Sequence, residues 1–533
     1  MKFLFAQFIL FASVLVLMSG CVIDKVSDDN RVFRYNESAG ITTLDPAHAR
    51  SLEIMWAVDA IYDGLVELSP ELEVIPAIAQ SWDWVEGGVV FHLRNDVYFS
   101  KAADIPSLEN GRRLVAEDVV YSLERLRDPE VSSPGGWILD AVLEDGIVAL
   151  DDSTVKISFK YSFPPFMGLL TTPYASIVAP EAVAYRGDKF RSMPAGTGPF
   201  KVAWWEEDIA LVLHKNNDYW EVDKEGVSLP YLEAVHIDFV PDMGSEYLGL
   251  IQGRYDFISG LHPAYMEDLM TKDGALAEKH KDNLDLKRVP FLKTDYLGIL
   301  TDSISDPRVR KALSLSIDRV GIAKNLRRGS VLPSDRFIPP SMQGAHLYST
   351  PEYNLELASE LLEEAGYPMG KGLPVIELAT TSDYVDICAA IQHDFKKIGV
   401  QVEVDLSPAS VHREKVATSQ AVMFKKSWLA DHADAENFLG LFLERNFSPG
   451  GPNYTHFKNK EYEGLYSSAM LEPSEAERSN LYFKMDSIIF TEMPVLPLYH
   501  DQVTHFVSKS VNGWVVSPVN RLELRYVSKN IRH

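Results

Sequence analysis

The spacing of apolar positions changes character near the middle of the chain. Residues 32–35 (Val-Phe-Arg-Tyr) alternate, which predicts a strand, and they run into a turn-rich connection beginning at Asn36. Residues 89–94 and 97–99 alternate in the same way, and residues 147–159 read as two strands about a turn at Asp151-Asp152. Between them, residues 116–126 carry apolar positions three and four apart, with Glu117 and Asp118 in the first turn, where the helix dipole favours acids. Residues 54–68 also show helical spacing. Strands are expected over 196–202, 209–213 and 232–240, then a helix over 244–252. The second half reads differently. Helices are expected over 309–317 and 355–365, the latter closed by Gly366 with Pro368 just beyond. Residues 375–378, 383–398 and 400–404 form a β-α-β unit. One further helix and strand lead to the apolar run 421–424, which reads as a strand end opening into a polar, aromatic-bearing connection over 424–438. Hairpins with few helices give way to alternating α/β, so the class is α/β. A strand ending in such a connection is where open α/β sheets place ligands.

Length and charge narrow the function. A chain of 533 residues suits two to four domains, and 46% apolar with 24% charged residues is ordinary for a globular protein. The formal net charge of −25 argues against nucleic acid or an anionic membrane as partner through bulk electrostatics. Gly196-Thr197-Gly198 resembles a phosphate loop only superficially, because no Lys-Ser/Thr and no helix start follow it. No His-Glu-x-x-His, Gly-x-Ser-x-Gly, cysteine pair or calcium loop occurs, so neither an enzyme nor a cofactor is expected.

The N-terminus reads as a targeting segment. Lys2 precedes an apolar run to Met18, and Ser19-Gly20 precede Cys21. This resembles a bacterial lipoprotein signal, with Met18 where leucine is more usual. The resemblance implies cleavage after residue 20 and acylation of Cys21, followed by a flexible tether over 21–30. Only Cys388 then remains, within a helical stretch, and reads as a buried structural thiol.

Several blocks, taken in order, resemble the large solute-binding proteins of ATP-driven importers, the family of oligopeptide- and dipeptide-binding lipoproteins. They are Leu44-Asp45-Pro46; 79–82 with Phe91-His92-Leu93-Arg94; Ala116-Glu117-Asp118-Val119 with Tyr121-Ser122-Leu123-Glu124-Arg125; Gly196-Thr197-Gly198-Pro199-Phe200; and Asp218-Tyr219-Trp220. Asp306-Pro307-Arg308-Val309 to Ala312 with Ile317-Asp318-Arg319, then 358–366, then Trp428-Leu429-Ala430-Asp431 complete the series. The chain departs from the family in a longer connection over 100–111 and in Ala435, where proline is usual.

The resemblance implies a type II periplasmic-binding-protein fold: two lobes around a hinge, with an α+β subdomain inserted in the first. The expected division is lobe I over 31–53, the insertion over 54–186, lobe I again over 187–290, lobe II over 291–504, and a return to lobe I over 505–533. It also implies a monomer outside the cytoplasm, anchored to the cell or outer membrane, that binds short peptides between its lobes and delivers them to an ABC permease. A peptide is a zwitterion, so its ends require an anion and a cation. Asp431 matches the family's carboxylate for the ligand's ammonium, Trp428 offers a flat platform, and Lys425 matches a cation for the ligand's carboxylate. Asn36 and Glu37 lie where the first lobe meets the ligand. Alternatives on the same fold are an oligosaccharide, a metal chelate or haem, or a peptide-sensing or chaperone-like role. A metal site at Asp431, His432, Asp434 and Glu436 is not expected, since adjacent residues converge poorly on one ion.

Overall fold

The computed structural model describes residues 31–260 and 263–530; the expected signal segment, Cys21 and the tether lie outside them. Two lobes share one eleven-stranded sheet. Its order is Phe200–Glu206, Ala210–Lys215, Ala234–Asp238, Val32–Asn36, Phe257–Ser259, Val495–Ser508, Leu284–Ile299, Met423–Leu429, Ile376–Thr380 and Val402–Leu406, with Val331–Pro333 also on Val495–Ser508. The two longest strands, Leu284–Ile299 and Val495–Ser508, are antiparallel neighbours and pass through both lobes. Their register is continuous from Leu284↔Ser508 to Pro290↔Gln502, breaks, and resumes at Thr294↔His500. The break isolates the first-lobe half of the ladder from the second-lobe half.

The first lobe carries a separate four-stranded antiparallel sheet: Ala79–Val85, Gly88–Leu93, Thr154–Phe159 and Val142–Asp151, in that order. Helix Ala116–Glu124 buries Val119 and Leu123 in the same apolar core. The helical spacing over 54–68 is only partly realised. The helix is Leu52–Ile61, and Val66–Leu68 is a strand paired with Val74–Pro76. The break falls at Asp63-Gly64. Asp63 accepts from Thr197 Oγ1 at 2.8 Å and Trp220 Nε1 at 3.2 Å, and a Cβ on Gly64 would meet two backbone oxygens at 3.3 Å.

The second lobe packs helices Pro307–Leu315, Leu355–Glu364 and Val385–Lys397 over one face of the sheet, with Cys388 buried among them. Several motifs singled out from the sequence meet in space as structure. Asp45 accepts both terminal nitrogens of Arg125, at 2.7 and 2.6 Å, tying the Leu-Asp-Pro turn to the subdomain helix. Arg319 is buried and donates to Pro497 O and to Ser314 O and Oγ. Such buried guanidiniums need every acceptor they can reach, which accounts for arginine at these positions.

One first-lobe contact reaches across. In the hairpin between Val66–Leu68 and Val74–Pro76, Leu72 adopts φ 66° and is 3% exposed, yet it packs in the second lobe's apolar cluster with Leu292, Tyr296 and Phe337. Ser69 Oγ accepts the amides of Glu71 and Glu73, which holds the turn.

Candidate functional site

Strand Met423–Leu429 does not end at Phe424 as its apolar run suggests. It continues in antiparallel register with Leu284–Ile299 as far as Leu429↔Lys293. Alternation then decides where each side chain goes. Phe424, Lys426 and Trp428 share one face, where Trp428 packs half-buried and the Lys426 ammonium lies 4.4 Å from the Tyr454 ring centre. Lys425 points to the other face and is 2% exposed. There it is ion-paired with Asp295 and stands 3.9 Å from the centre of the Tyr384 ring. Burial lowers the Lys425 pKa, and Asp295 offsets part of that shift.

Beyond the strand, Asp431 is exposed and forms no ion pair among the described residues. Asn437 organises this end. Its Oδ1 accepts from Trp428 Nε1 at 2.9 Å and from the Asp431 amide at 3.3 Å, while its Nδ2 approaches Asp431 Oδ2 at 3.5 Å. Asp434 Oδ1 accepts the Glu436 amide at 2.9 Å, at the start of the short helix Glu436–Leu439. His432 is buried, its Cδ2 3.7 Å from where a Cβ on Gly168 of the first lobe would lie. Trp428 and Asp431 are therefore brought together through Asn437, and the Lys425 side chain points to the opposite face of its strand from Trp428. No group of three or more metal-ligating side chains occurs among the described residues.

On the first lobe, Asn36 ends its strand buried, its amide bonded both ways to the Val240 backbone at 3.0 and 2.8 Å. The Glu37 carboxyl is pushed up to about 8 by burial and by Glu53 and Glu246 nearby. This favours its neutral form to a higher pH than for an ordinary carboxyl.

A cavity of about 450 Å³ opens between the lobes beside the register break. Gly260, Met266 and Met270 line it from the first lobe, and Arg327, Tyr384 and Tyr499 from the second. The long strands supply Arg288, Lys293, Asp295 and Asp501. Its volume lies in the ~300–1,000 Å³ range of small-molecule sites. Lys293 is ion-paired with Asp501 and lies 3.3 Å from Asp295, so the two lysines are matched by two aspartates. The two arginines are not: neither Arg288 nor Arg327 forms an ion pair with a carboxylate among the described residues. Arg327 is flanked by Tyr384 and Tyr499, at 5.8 and 5.9 Å from the ring centres, and its Nε donates to Tyr499 Oη at 3.3 Å. These cavity residues are absent from the candidates drawn from sequence. The available signal was Lys293 and Asp295 on alternate positions between the apolar pairs Phe291-Leu292 and Tyr296-Leu297, where burial tolerates charge only when it is paired.

The model of the bacterial extracellular solute-binding proteins, family 5 (middle region), matches residues 73–449. The chain belongs to this family. A glutathione-binding protein GsiB of Shigella dysenteriae is 26% identical over 490 residues, covering 90% of this chain and 91% of GsiB. HbpA2 of Haemophilus parasuis superposes with a TM-score of 0.83 at 25% identity, over 94% of this chain and 99% of its own. The ABC transporter-associated periplasmic protein DppA of Helicobacter pylori, in complex with the peptide STSA, gives 0.67 at 27% identity over 93% and 98%. The family 5 assignment carries the two-lobed type II fold and a role in ABC import outside the cytoplasm.

Proposed function

We propose that this family 5 protein is a lipid-anchored receptor that captures short peptides between its lobes and delivers them unchanged to an ABC importer. The observation that carries this reading is a separation of unmatched charge. One end of the interlobe region offers the exposed Asp431 carboxylate without an ion-pair partner, and the cavity offers two guanidiniums, Arg288 and Arg327, that form no ion pair among the described residues. A zwitterionic peptide complements both. Its ammonium meets Asp431 beside the Trp428 platform, and its carboxylate meets Arg327, pre-oriented by two tyrosines. Lys425 contributes indirectly, by holding Asp295 and Tyr384 in the wall. Glu37 meets the ligand with a carboxyl whose charged form burial disfavours, and Asn36 fixes the first-lobe backbone beside it. Closure is assigned to the register break between the long strands, which falls between residues 290 and 294 on one strand and between 502 and 500 on the other.

The relatives support a peptide as ligand, since GsiB is named for glutathione and the DppA structure holds a tetrapeptide. Native mass spectrometry of the purified protein tests the ligand class. A heterogeneous set of short peptides is expected to co-purify, and a metal, glycan or haem mass in their place would overturn the reading.

A further inference from the structure

We propose that Arg288 forms a second carboxylate pocket in the same cavity, selecting peptides whose last residue is acidic. This rests on the peptide reading above, in which Arg327 takes the terminal carboxylate. Of the three cations that line the cavity, Lys293 is matched by Asp501 and Arg327 is assigned, which leaves Arg288; the buried Lys425 behind the wall is matched by Asp295. Its own contacts are weak. Nη1 donates to Gly329 O at 3.3 Å, Nη2 to the Met270 sulfur at 3.2 Å, and Nε is buried without a partner. Burial lowers its pKa, and no carboxylate offsets the shift.

A guanidinium held this way is incompletely satisfied. Sulfur and a long carbonyl contact are poor substitutes for the bidentate carboxylate that its fork fits. A C-terminal Asp or Glu carries a second carboxylate one side chain away from the first, and both fall within one cavity of about 450 Å³. The remaining lining group of opposite sign, Asp383, is exposed at the start of the helix region and forms no ion pair with either arginine among the described residues. Arg288 also lies on the first-lobe side of the register break, whereas Arg327 belongs to the second lobe. An acidic last residue therefore links the lobes through two anions, and it favours the closed state more than a neutral one does.

Calorimetric titration of the purified protein with alanine peptides two to five residues long, ending in Glu or in Gln, tests this directly. The Glu peptides are expected to bind roughly ten-fold or more tightly than their Gln counterparts. Arg288→Met is expected to abolish that preference while leaving the Gln peptides nearly unchanged, and Arg288→Lys to retain part of it. Equal affinity for Glu and Gln peptides in the wild type would overturn the pocket and leave the peptide reading standing. Equal weakening of both peptides by Arg288→Met and by Arg288→Lys would also overturn it. Failure of every peptide to bind would overturn both.

Discussion

Lys425 and Asp295 are ion-paired across neighbouring antiparallel strands, with each side chain 1% exposed. The register explains the meeting. Lys425 is backbone-paired with Leu297, and its side chain reaches two positions along the partner strand, on the same face. Breaking a buried pair leaves one charge uncompensated, so Lys425→Met is expected to cost about 3–5 kcal/mol of stability in urea unfolding. The double variant Lys425→Met with Asp295→Leu should recover most of that loss, because Lys293 keeps Asp501.

The same relationship separates stability from binding. Arg327→Gln should leave the unfolding midpoint nearly unchanged and weaken a free-acid peptide by about ten-fold, with little effect on the C-amidated form. Titration of both peptides checks this. Equal losses for the two would place the ligand's carboxylate elsewhere.

Two buried histidines make the fold acid-sensitive. Burial lowers His500 to about 3 and His505 to about 4, each below its ordinary value. A depressed pKa contributes stability that is present above the unfolded value, ~6.5, and lost as pH falls toward the folded value. The stability of the wild type relative to His500→Gln should therefore fall by about 1.4 kcal/mol per pH unit between roughly pH 6 and 4. Denaturant titrations across that window measure it.

The interlobe contact of Leu72 gives an unusual order of substitutions. Leu72→Ala removes buried apolar contacts and keeps a left-handed backbone that alanine disfavours, so it should cost roughly 2–5 kcal/mol. Leu72→Gly removes one more carbon but relieves about 1 kcal/mol of backbone strain, so it should be no worse than Leu72→Ala. Thermal unfolding of the two variants decides.

Much of the fold was legible because long elements announce their period. The β-α-β unit that becomes Ile376–Thr380, Val385–Lys397 and Val402–Leu406 was readable from apolar spacing alone. The end of strand Met423–Leu429 was not. Its last five residues, Lys425 to Leu429, are held by ladder bonds and by the buried Lys425–Asp295 pair, and only Trp428 among them packs against the apolar core. Asp431 and Trp428 could be named as candidates because they sit three residues apart in one local stretch. Arg288, Asp295 and Arg327 meet only when two long strands and a distant helical turn are folded together, and no local pattern records that.

The proposed lipid anchor at Cys21 has its own test. The wild type should partition with membranes and Cys21→Ala should not, as fractionation and intact mass would report.

The central claim is that the cleft holds a peptide by its free ammonium at Asp431. Calorimetric titration of the wild type and Asp431→Asn with one short peptide and its N-acetylated form tests it most directly. Acetylation is predicted to weaken wild-type binding by about 1.5–3 kcal/mol and to change binding by Asp431→Asn little. Equal wild-type affinity for the free and acetylated peptides would contradict the account.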